Sequence, residues 1–452
     1  MARKKKSDIV DYSNPQPEIP QALIPQIDMA SLFTQSYLRF GEYNLCYRTM
    51  PNLYDGFKIS YKRTYFIAST YKKGELISNN DLIGSISKVH PHSVDSLISV
   101  VACFVHSGLF EGKGAFGGST LISNDPPAAA RYSKSRISDL YLRLIGDLIK
   151  EVPYIPSPNG MDEPAYIPTP LPFSLILKER VLGLGVGIQT SIPNFSPKSL
   201  LAAYFENNPM LLEPRTNINI DKNKSELQQL WESGQGKIHY FYNVQKGTSP
   251  DGREAILIEG DAEIFQPNLK KLRKLEAEGK LTIDDMTDIN GPKLMVSKIP
   301  GARGITVDDI EAEVKRCCQA SIKFQINVTD GRSAFKIPIR EWIGITYNNY
   351  LNLITQVNQK RIGQVEFEIA VQEALPIVVD YVMNRNPKAE NKELSKNLGI
   401  PEEIIESVMS KPISHLRKTK DTTERVKALK KRLTELKKFD PVKHTFEIVQ
   451  EM

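Results

Sequence analysis

The chain has few cysteines and no long apolar run, and each absence excludes a class of protein. It has only four cysteines in 452 residues, and their spacing fits neither a disulfide framework nor a zinc site: Cys46, Cys103, Cys317 and Cys318. No apolar run approaches the length of a membrane-spanning helix, and the N-terminus shows no apolar signal core. We therefore expect a cytoplasmic protein without a membrane segment.

The sequence also lacks a nucleotide-binding loop. The pattern GxxxxGK[ST] does not occur in it. Residues 181–188 (VLGLGVGI) are glycine-rich, but they lead into residues 190–193 (TSIP) and not into the helix that a dinucleotide-binding loop opens. We therefore expect that this chain does not itself hydrolyse a nucleotide.

Positive charge is in modest excess and is clustered. The net charge is +6, and the length predicts two to four domains. Basic residues concentrate in four segments: residues 3–6, 58–63, 270–274 and 427–438. This distribution favours a polyanionic partner without establishing one.

Residues 128–133 (AAARYS) carry the candidate chemistry, downstream of the glycine run at residues 112–118 (GKGAFGG). A tyrosine hydroxyl titrates at about pH 10 and is a poor nucleophile at neutral pH. Once it is bonded to a phosphate, however, the phenolate is a good enough leaving group for the link to be reversed. Arg131 beside Tyr132 can hold such a phosphate and offset its developing charge. The simpler alternative is a surface arginine next to a half-buried tyrosine.

Upstream, two patterns indicate contacts with DNA. Lys58, Lys62 and Arg63 share one face of a predicted helix, which could instead be an ordinary solvated face. Two short helices, at residues 81–88 and 94–105, are separated by residues 90–93 (HPHS), as in a helix-turn-helix.

His90 and His92 within that turn have two possible roles. They could contact phosphate, or they could be metal ligands as in DNA-nicking enzymes that pair His-x-His with a nucleophilic tyrosine. No third histidine or carboxylate stands nearby at ligand spacing, which favours phosphate contact.

The rest of the chain divides by pattern. Residues 1–26 form a basic, proline-rich arm, and an amphipathic helix over residues 137–148 closes the first domain. Residues 195–332 alternate helices and strands, with a hairpin turn at residues 247–252 and a capping box at Thr306. From Pro338 the chain is helical, and residues spaced 3, 4 and 3 apart predict an antiparallel coiled coil with the helix from residue 339 to 365: Val426, Leu429, Leu433 and Leu436.

Taken together, these motifs resemble the DNA-cleaving subunit of type IIA DNA topoisomerases, the gyrase A and topoisomerase IV type. The resemblance runs from about residue 36 to the coiled coil, and its motifs stand in the family's order: Arg48 before Pro51, residues 55–58 (DGFK) with Lys62 and Arg63, residues 90–92 (HPH), residues 114–117 (GAFG), residues 128–132 (AAARY) and residues 183–187 (GLGVG). Each motif alone is weak, whereas the ordered set is specific.

The resemblance implies roles for individual residues. Tyr132 would be the nucleophile that takes the 5′ phosphate of cleaved DNA, with Arg131 holding that phosphate. Leu184 stands where the family places a side chain that wedges between base pairs. The remaining matches would line the DNA-binding surface: Arg48, Lys58, Lys62, Arg63, His90 and His92.

The resemblance also implies an architecture and partners. The expected fold is α+β and multidomain: a winged-helix DNA gate at residues 27–150, a tower at 151–335, and a coiled coil with a C-terminal dimer gate at 336–452. The expected partners are double-stranded DNA, a second copy of this chain, and subunits that carry the ATPase and the metal site. Mg²⁺ and ATP would bind to those subunits, and this chain would hold no metal. A viral member of the family would act in the host cytoplasm.

The resemblance leaves the outcome of the reaction to be tested. Gyrases continue into a DNA-wrapping domain after the coiled coil, which this sequence does not include, so we expect relaxation and decatenation without negative supercoiling. The competing hypotheses are a non-catalytic winged-helix DNA-binding protein and a metal-dependent nickase that uses His90 and His92.

Overall fold

The computed structural model describes residues 28–452 apart from 92–95, 158, 216–217, 219, 261, 263, 289–290, 386–389 and 411–419. The predicted arm at residues 1–26 and His92 lie outside the described residues. In the described part of the chain, no helix is both long and apolar enough to cross a membrane. Helices and antiparallel sheets are mixed up to residue 336 and helices follow, so the predicted mixture of α and β structure is confirmed.

The N-terminal region, residues 28–150, packs three helices beside a small antiparallel sheet. Its elements are α1 (Met29–Asn44), a π-helical turn (Leu45–Thr49), α2 (Ile59–Thr70), β1 (Ile77–Ser78), α3 (Asn79–Ile86), α4 (Leu97–His106), β2 (Phe110–Lys113), β3 (Gly118–Ser119), β4 (Asn124–Asp125), a 3₁₀ turn (Ala130–Tyr132), β5 (Lys134–Ile137), α5 (Asp139–Leu144) and a second 3₁₀ turn (Gly146–Lys150). The sheet order is β1-β5-β2, and α2, α3 and α4 pack against one another. The two helices predicted around the HPHS turn are present as α3 and α4.

The single amphipathic helix predicted over residues 137–148 is wrong. Ile137 ends strand β5, and α5 ends at Leu144. Gly146 then adopts a φ of +40°, which breaks the helix and starts a 3₁₀ turn. The spacing of the apolar residues still predicted buried side chains correctly at Tyr141 and Leu148, which are both in the core.

The middle region, residues 151–336, contains two four-stranded antiparallel sheets, in the orders β10-β15-β9-β8 and β11-β12-β14-β13. Its elements are β6 (Tyr154–Pro156), β7 (Asp162–Pro164), α6 (Phe173–Ile176), β8 (Val181–Leu184), β9 (Gln189–Ile192), α7 (Pro197–Glu206), a 3₁₀ turn (Pro209–Leu211), α8 (Ile220–Ser233), β10 (Gln235–Phe241), β11 (Asn243–Thr248), β12 (Glu254–Glu259), α9 (Lys270–Ala277), β13 (Leu281–Asp285), β14 (Lys293–Lys298), α10 (Val307–Cys317), β15 (Gln319–Gln325), β16 (Asn327–Thr329) and β17 (Ala334–Lys336). The β11-β12 hairpin confirms the predicted turn, and Thr306 with Asp309 forms the predicted capping box.

The C-terminal region is helical, as predicted. Its elements are α11 (Ile339–Asn384), α12 (Asn391–Leu398), α13 (Glu402–Met409), α14 (Lys420–Lys437) and α15 (Pro441–Glu451). Helix α14 runs antiparallel to α11, and its predicted apolar seam packs on Val365 and Ile369. Exposed ion pairs flank the seam: Arg425 with Glu368, Lys430 with Glu373, and Lys437 with Glu366.

A single large apolar core joins the three regions. The buried Phe57 and Phe173 rings stack with centroids 3.9 Å apart, which fixes the start of α2 against the middle region. At the start of α11, the Trp342 indole N–H donates to the buried carbonyl oxygen of Leu53 at 2.8 Å. Tyr350 donates in the same way to the Leu144 carbonyl oxygen at 2.8 Å. Helix α11 is thus anchored to the N-terminal region by both packing and hydrogen bonds.

The two tryptophans of the chain allow this anchor to be tested. We expect Trp342→Phe to lower the free energy of unfolding by about 1–3 kcal/mol beyond the packing loss, because it leaves the Leu53 carbonyl unpaired in the core. Trp231→Phe is the matched control, since Trp231 is equally buried but its N–H lies 3.4 Å from Asn207 Oδ1, a weaker hydrogen bond. Urea denaturation followed by circular dichroism measures both variants. An equal decrease in the free energy of unfolding of the two variants would contradict the anchoring role of the hydrogen bond between Trp342 and Leu53.

Candidate functional site

Tyr132 lies on an exposed 3₁₀ turn directly before strand β5. Its side chain is 66% exposed, so the alternative of a half-buried tyrosine is wrong. The Arg131 guanidinium carbon lies 4.7 Å from the centroid of the Tyr132 ring. This cation–π contact places a fixed positive charge beside the phenol. The structure therefore brings together the two residues predicted to be catalytic.

The turn is held by close backbone contacts with the glycine run. Gly114 has a φ of +124°, and a Cβ at this position would lie 2.8 Å from the Tyr132 carbonyl oxygen. A Cβ on Gly117 would overlap the carbonyl oxygen of Asp125. The Ala128 N–H also donates to the Ala115 carbonyl oxygen at 3.1 Å. The glycines are needed because no side chain fits where the two backbone segments meet.

Asn79, at the start of α3, fixes the other side of the turn. It is fully buried, and its backbone N–H donates to the Ser133 carbonyl oxygen at 3.0 Å. Its Nδ2 donates to Ser133 Oγ at 2.8 Å, and Ser135 Oγ donates to its Oδ1 at 2.5 Å. No sequence pattern marked this residue, because its partners are 54 and 56 positions away.

Leu184 lies at the end of β8, in the hairpin that β8 forms with β9. Leu184 is 81% exposed, so it is not an ordinary core residue. A Cβ on Gly183 would lie 2.5 Å from the Thr49 carbonyl oxygen, so the hairpin packs closely on the π-helical turn. That turn also carries Arg48, whose side chain is exposed.

Lys58, Lys62 and Arg63 do not form the solvated face that would be the ordinary alternative. Lys58 is half-buried and donates to the Leu182 carbonyl oxygen, and burial lowers its pKa. Lys62 and Arg63 are only 3% and 4% exposed. In this structure the side chains of Lys62 and Arg63 are directed into the protein, and their contact with DNA stays a prediction.

Glu163, in strand β7, is the buried partner of these two cations. Arg63 Nε and Nη2 donate to its two carboxylate oxygens at 2.7 and 3.0 Å, and Lys62 Nζ lies 3.3 Å from Oε1. Burial lowers the pKa of Lys62, whereas Glu163 and Asp55 act in the opposite direction. Burial also raises the pKa of the Asp55 carboxyl to about 7, although amide hydrogen bonds from Ile167 and Phe57 oppose that shift. No sequence pattern indicated that Glu163 would be the buried partner of Lys62 and Arg63.

His90 belongs to the same buried cluster. Its Nδ1 lies 3.1 Å from Nη1 of Arg63, and a guanidinium can only donate, so Nδ1 accepts this hydrogen bond. That contact occupies a ring nitrogen that could otherwise hold a metal ion. Within the described residues, no group of three or more histidine, cysteine, aspartate or glutamate side chains is placed to bind one.

Comparisons with known proteins cover most of the chain. The family model for the A subunit of DNA gyrase/topoisomerase IV matches residues 48–451. The A subunit of DNA topoisomerase 4 from Staphylococcus epidermidis is 24% identical over 452 aligned positions, which cover 92% of this chain and 55% of that protein. The A subunit of DNA gyrase from Haemophilus influenzae is 25% identical over 306 positions, which cover 61% of this chain and 34% of that protein.

A third relative is the A subunit of DNA topoisomerase 4 from Staphylococcus aureus strain MW2, which is 23% identical over 82% of this chain and 50% of that protein. The chain thus spans about half the length of the curated topoisomerase 4 proteins that it matches. Because the family model matches nearly the whole sequence from Arg48 onward, the chain belongs to the family of DNA gyrase/topoisomerase IV A subunits.

Proposed function

We propose that this chain is the DNA cleavage-rejoining subunit of a type IIA DNA topoisomerase, with Tyr132 as its nucleophile. The observation that carries the proposal is an exposed phenol next to a guanidinium, on a turn that buried contacts hold in place. A nucleophile that must reach a phosphodiester has to be accessible. It must also be held in position, because the geometry of attack decides the rate.

The proposed reaction exchanges one phosphoester for another. The Tyr132 hydroxyl oxygen attacks a backbone phosphorus, the phenol loses its proton to solvent or a neighbouring base, and a phosphotyrosyl bond forms at the 5′ end. The bond from phosphorus to the 3′ oxygen breaks, and that oxygen takes up a proton. Resealing is the same exchange in reverse, so it requires no nucleotide.

Arg131 has two tasks in this proposal. Its guanidinium can donate to the non-bridging phosphate oxygens, where negative charge builds up in the transition state. Its contact with the Tyr132 ring also keeps that charge within reach of the attacking oxygen. Both tasks require a planar cation at this position, which a lysine would not provide as well.

Two exposed residues, Arg48 and Leu184, are proposed to contact the duplex. Arg48 would bind phosphate, and Leu184 would insert between base pairs. Lys58 is half-buried and could extend to the backbone from the start of α2. For Lys62 and Arg63 we propose a different task from the one the resemblance implied, which is to hold the β6-β7 ribbon against α2 through Glu163.

The remaining assignments follow from family membership and the motifs. We propose a winged-helix DNA gate at residues 27–150, a tower at 151–335, and a coiled coil with a dimer gate at 336–452. Two copies would place one tyrosine on each DNA strand, and a second duplex would pass through the break. Mg²⁺ and ATP would bind to the partner subunits. Within the family, we propose that the chain is of the type of the medium subunit of the T-even bacteriophage topoisomerases, which it resembles.

Tyr132→Phe should abolish covalent cleavage and leave DNA binding within about twofold, because only a hydroxyl is lost while phosphate contacts supply the affinity. The assay incubates DNA with this chain, the partner subunits and Mg²⁺, stops the reaction with denaturant, and probes for protein on 5′ ends. Gel shift measures binding in parallel. A covalent adduct formed by the Phe variant would contradict the assignment.

The same assay on the wild-type chain separates the competing hypotheses. Double-strand breaks with protein attached to the 5′ ends support the proposed function. Single nicks would support the nickase, and intact DNA would support the non-catalytic DNA-binding protein.

Leu184→Ala should reduce DNA bending and lower cleavage by about tenfold, equivalent to about 1.4 kcal/mol, with a smaller loss of affinity. A wedge offsets the cost of unstacking only when its side chain fills the opened gap. Leu182→Ala is the matched control, because Leu182 lies on the same strand and is 48% exposed. Bend angles come from fluorescence energy transfer across a labelled duplex. An unchanged bend in the Leu184 variant, or an equal loss in the control, would contradict the wedge.

A further inference from the structure

The hairpin β3-β4 lies between the glycine run and Tyr132, and its tip is inserted into the middle region. Leu121 at this tip is 1% exposed and packs in the apolar cluster that contains Ile258, Leu269 and Leu272. Those three residues belong to the sheet and helix layer of the middle region, remote in sequence from Tyr132. Polar residues flank residues 121–122 on both sides, and a hairpin tip of this kind normally remains in solvent, so the burial of Leu121 is unusual.

A segment of the middle region contacts the same hairpin in return. Gln266 Nε2 donates to the Thr120 carbonyl oxygen at 3.1 Å and to Asn124 Oδ1 at 2.8 Å. These two bonds hold one residue on each side of the tip. Ile264, two residues earlier, is buried in the large core that also contains Phe116 of the glycine run. The two regions are therefore interlocked at this point.

The chain from the hairpin to Tyr132 is short and stiff. Asp125 ends β4, and Pro126 and Pro127 follow, each with a fixed φ. Gly117 packs on the carbonyl of Asp125, and Ala128 is hydrogen-bonded to Ala115. A displacement of the hairpin would therefore be transmitted to the Tyr132 turn, because no flexible segment separates them.

We propose that Leu121 and Gln266 are positioning residues, which couple the placement of the Tyr132 nucleophile to the middle region. The inference rests on the proposed function, because that function is the reason why the position of Tyr132 matters. Neither residue touches the reacting atoms. The middle region would then act as a rigid support for the nucleophile, and any movement of it relative to the N-terminal region would move the phenol.

The test compares Leu121→Ala with Leu272→Ala, which truncates a fully buried leucine of the same apolar cluster in helix α9. Both variants are assayed in the complete enzyme, at temperatures equally far below their own melting points. We expect Leu121→Ala to lower the cleavage rate by about 100-fold, which is the effect of misplacing the Tyr132 hydroxyl by roughly 1 Å. The affinity for DNA should be unchanged. Leu272→Ala should retain nearly full cleavage. Leu121→Met should cleave at nearly the wild-type rate, in contrast to Leu121→Ala, because methionine fills a volume similar to that of leucine.

Gln266→Ala provides a second variant that does not disturb the core, because Gln266 is exposed. We expect slower cleavage with an unchanged melting point, and the exposed Gln245→Ala on β11 serves as the control. Equal cleavage in the two glutamine variants would overturn the role of Gln266. Equal cleavage in the two leucine variants, or no rescue by methionine, would overturn the role of Leu121.

Hydrogen exchange separates this inference from the proposed function. The amides of Ala128, Tyr132 and Ser133 are hydrogen-bonded within the turn and its support. Their exchange should be faster in Leu121→Ala than in Leu272→Ala, whether or not the enzyme cleaves DNA. A wild-type enzyme that forms no covalent adduct would refute the proposed function. Unchanged exchange at these amides would refute the coupling.

Discussion

Gly114 approaches the backbone of Tyr132 so closely that a Cβ would lie 2.8 Å from its carbonyl oxygen. The candidate site depends on this approach, because it fixes the turn through main-chain contacts and leaves the phenol itself exposed. Asn79 completes the support from the opposite side with hydrogen bonds that are entirely internal. The turn is thus held by contacts within the protein, and in the proposed reaction this reduces the entropy lost on forming a reactive complex.

The fold was predictable where a single local pattern decides the structure. The seam of α14, the capping box at Thr306 and the β11-β12 hairpin each depend on residues close together in sequence, and each is confirmed. The helix predicted over residues 137–148 was wrong because the spacing of apolar residues indicates only which side chains are buried. The positive φ of Gly146 ends the helical conformation within that range. A strand, a short helix and a 3₁₀ turn can bury the same side chains as one helix.

The site was predictable only in part, for a related reason. Tyr132, Arg131 and the glycine run are marked by their own sequence, and Leu184 is exposed as a wedge requires. The environment of Lys62 and Arg63 was not predictable, because their partner Glu163 is about 100 residues away, in a proline-rich segment. A local basic pattern cannot reveal that a distant carboxylate neutralises it. Burying two cations requires such a partner, since an unpaired buried charge is strongly destabilising.

The central claim is that Tyr132 forms a covalent bond to DNA, and mass spectrometry of the trapped complex tests it most directly. The complete enzyme is incubated with DNA and Mg²⁺ and stopped with denaturant, and the protein is digested with nuclease and protease. We expect one modified peptide, with a nucleotide joined through its 5′ phosphate to the oxygen of Tyr132. A nucleotide on another residue, a link through a 3′ phosphate, or no modified peptide despite broken DNA would contradict the account.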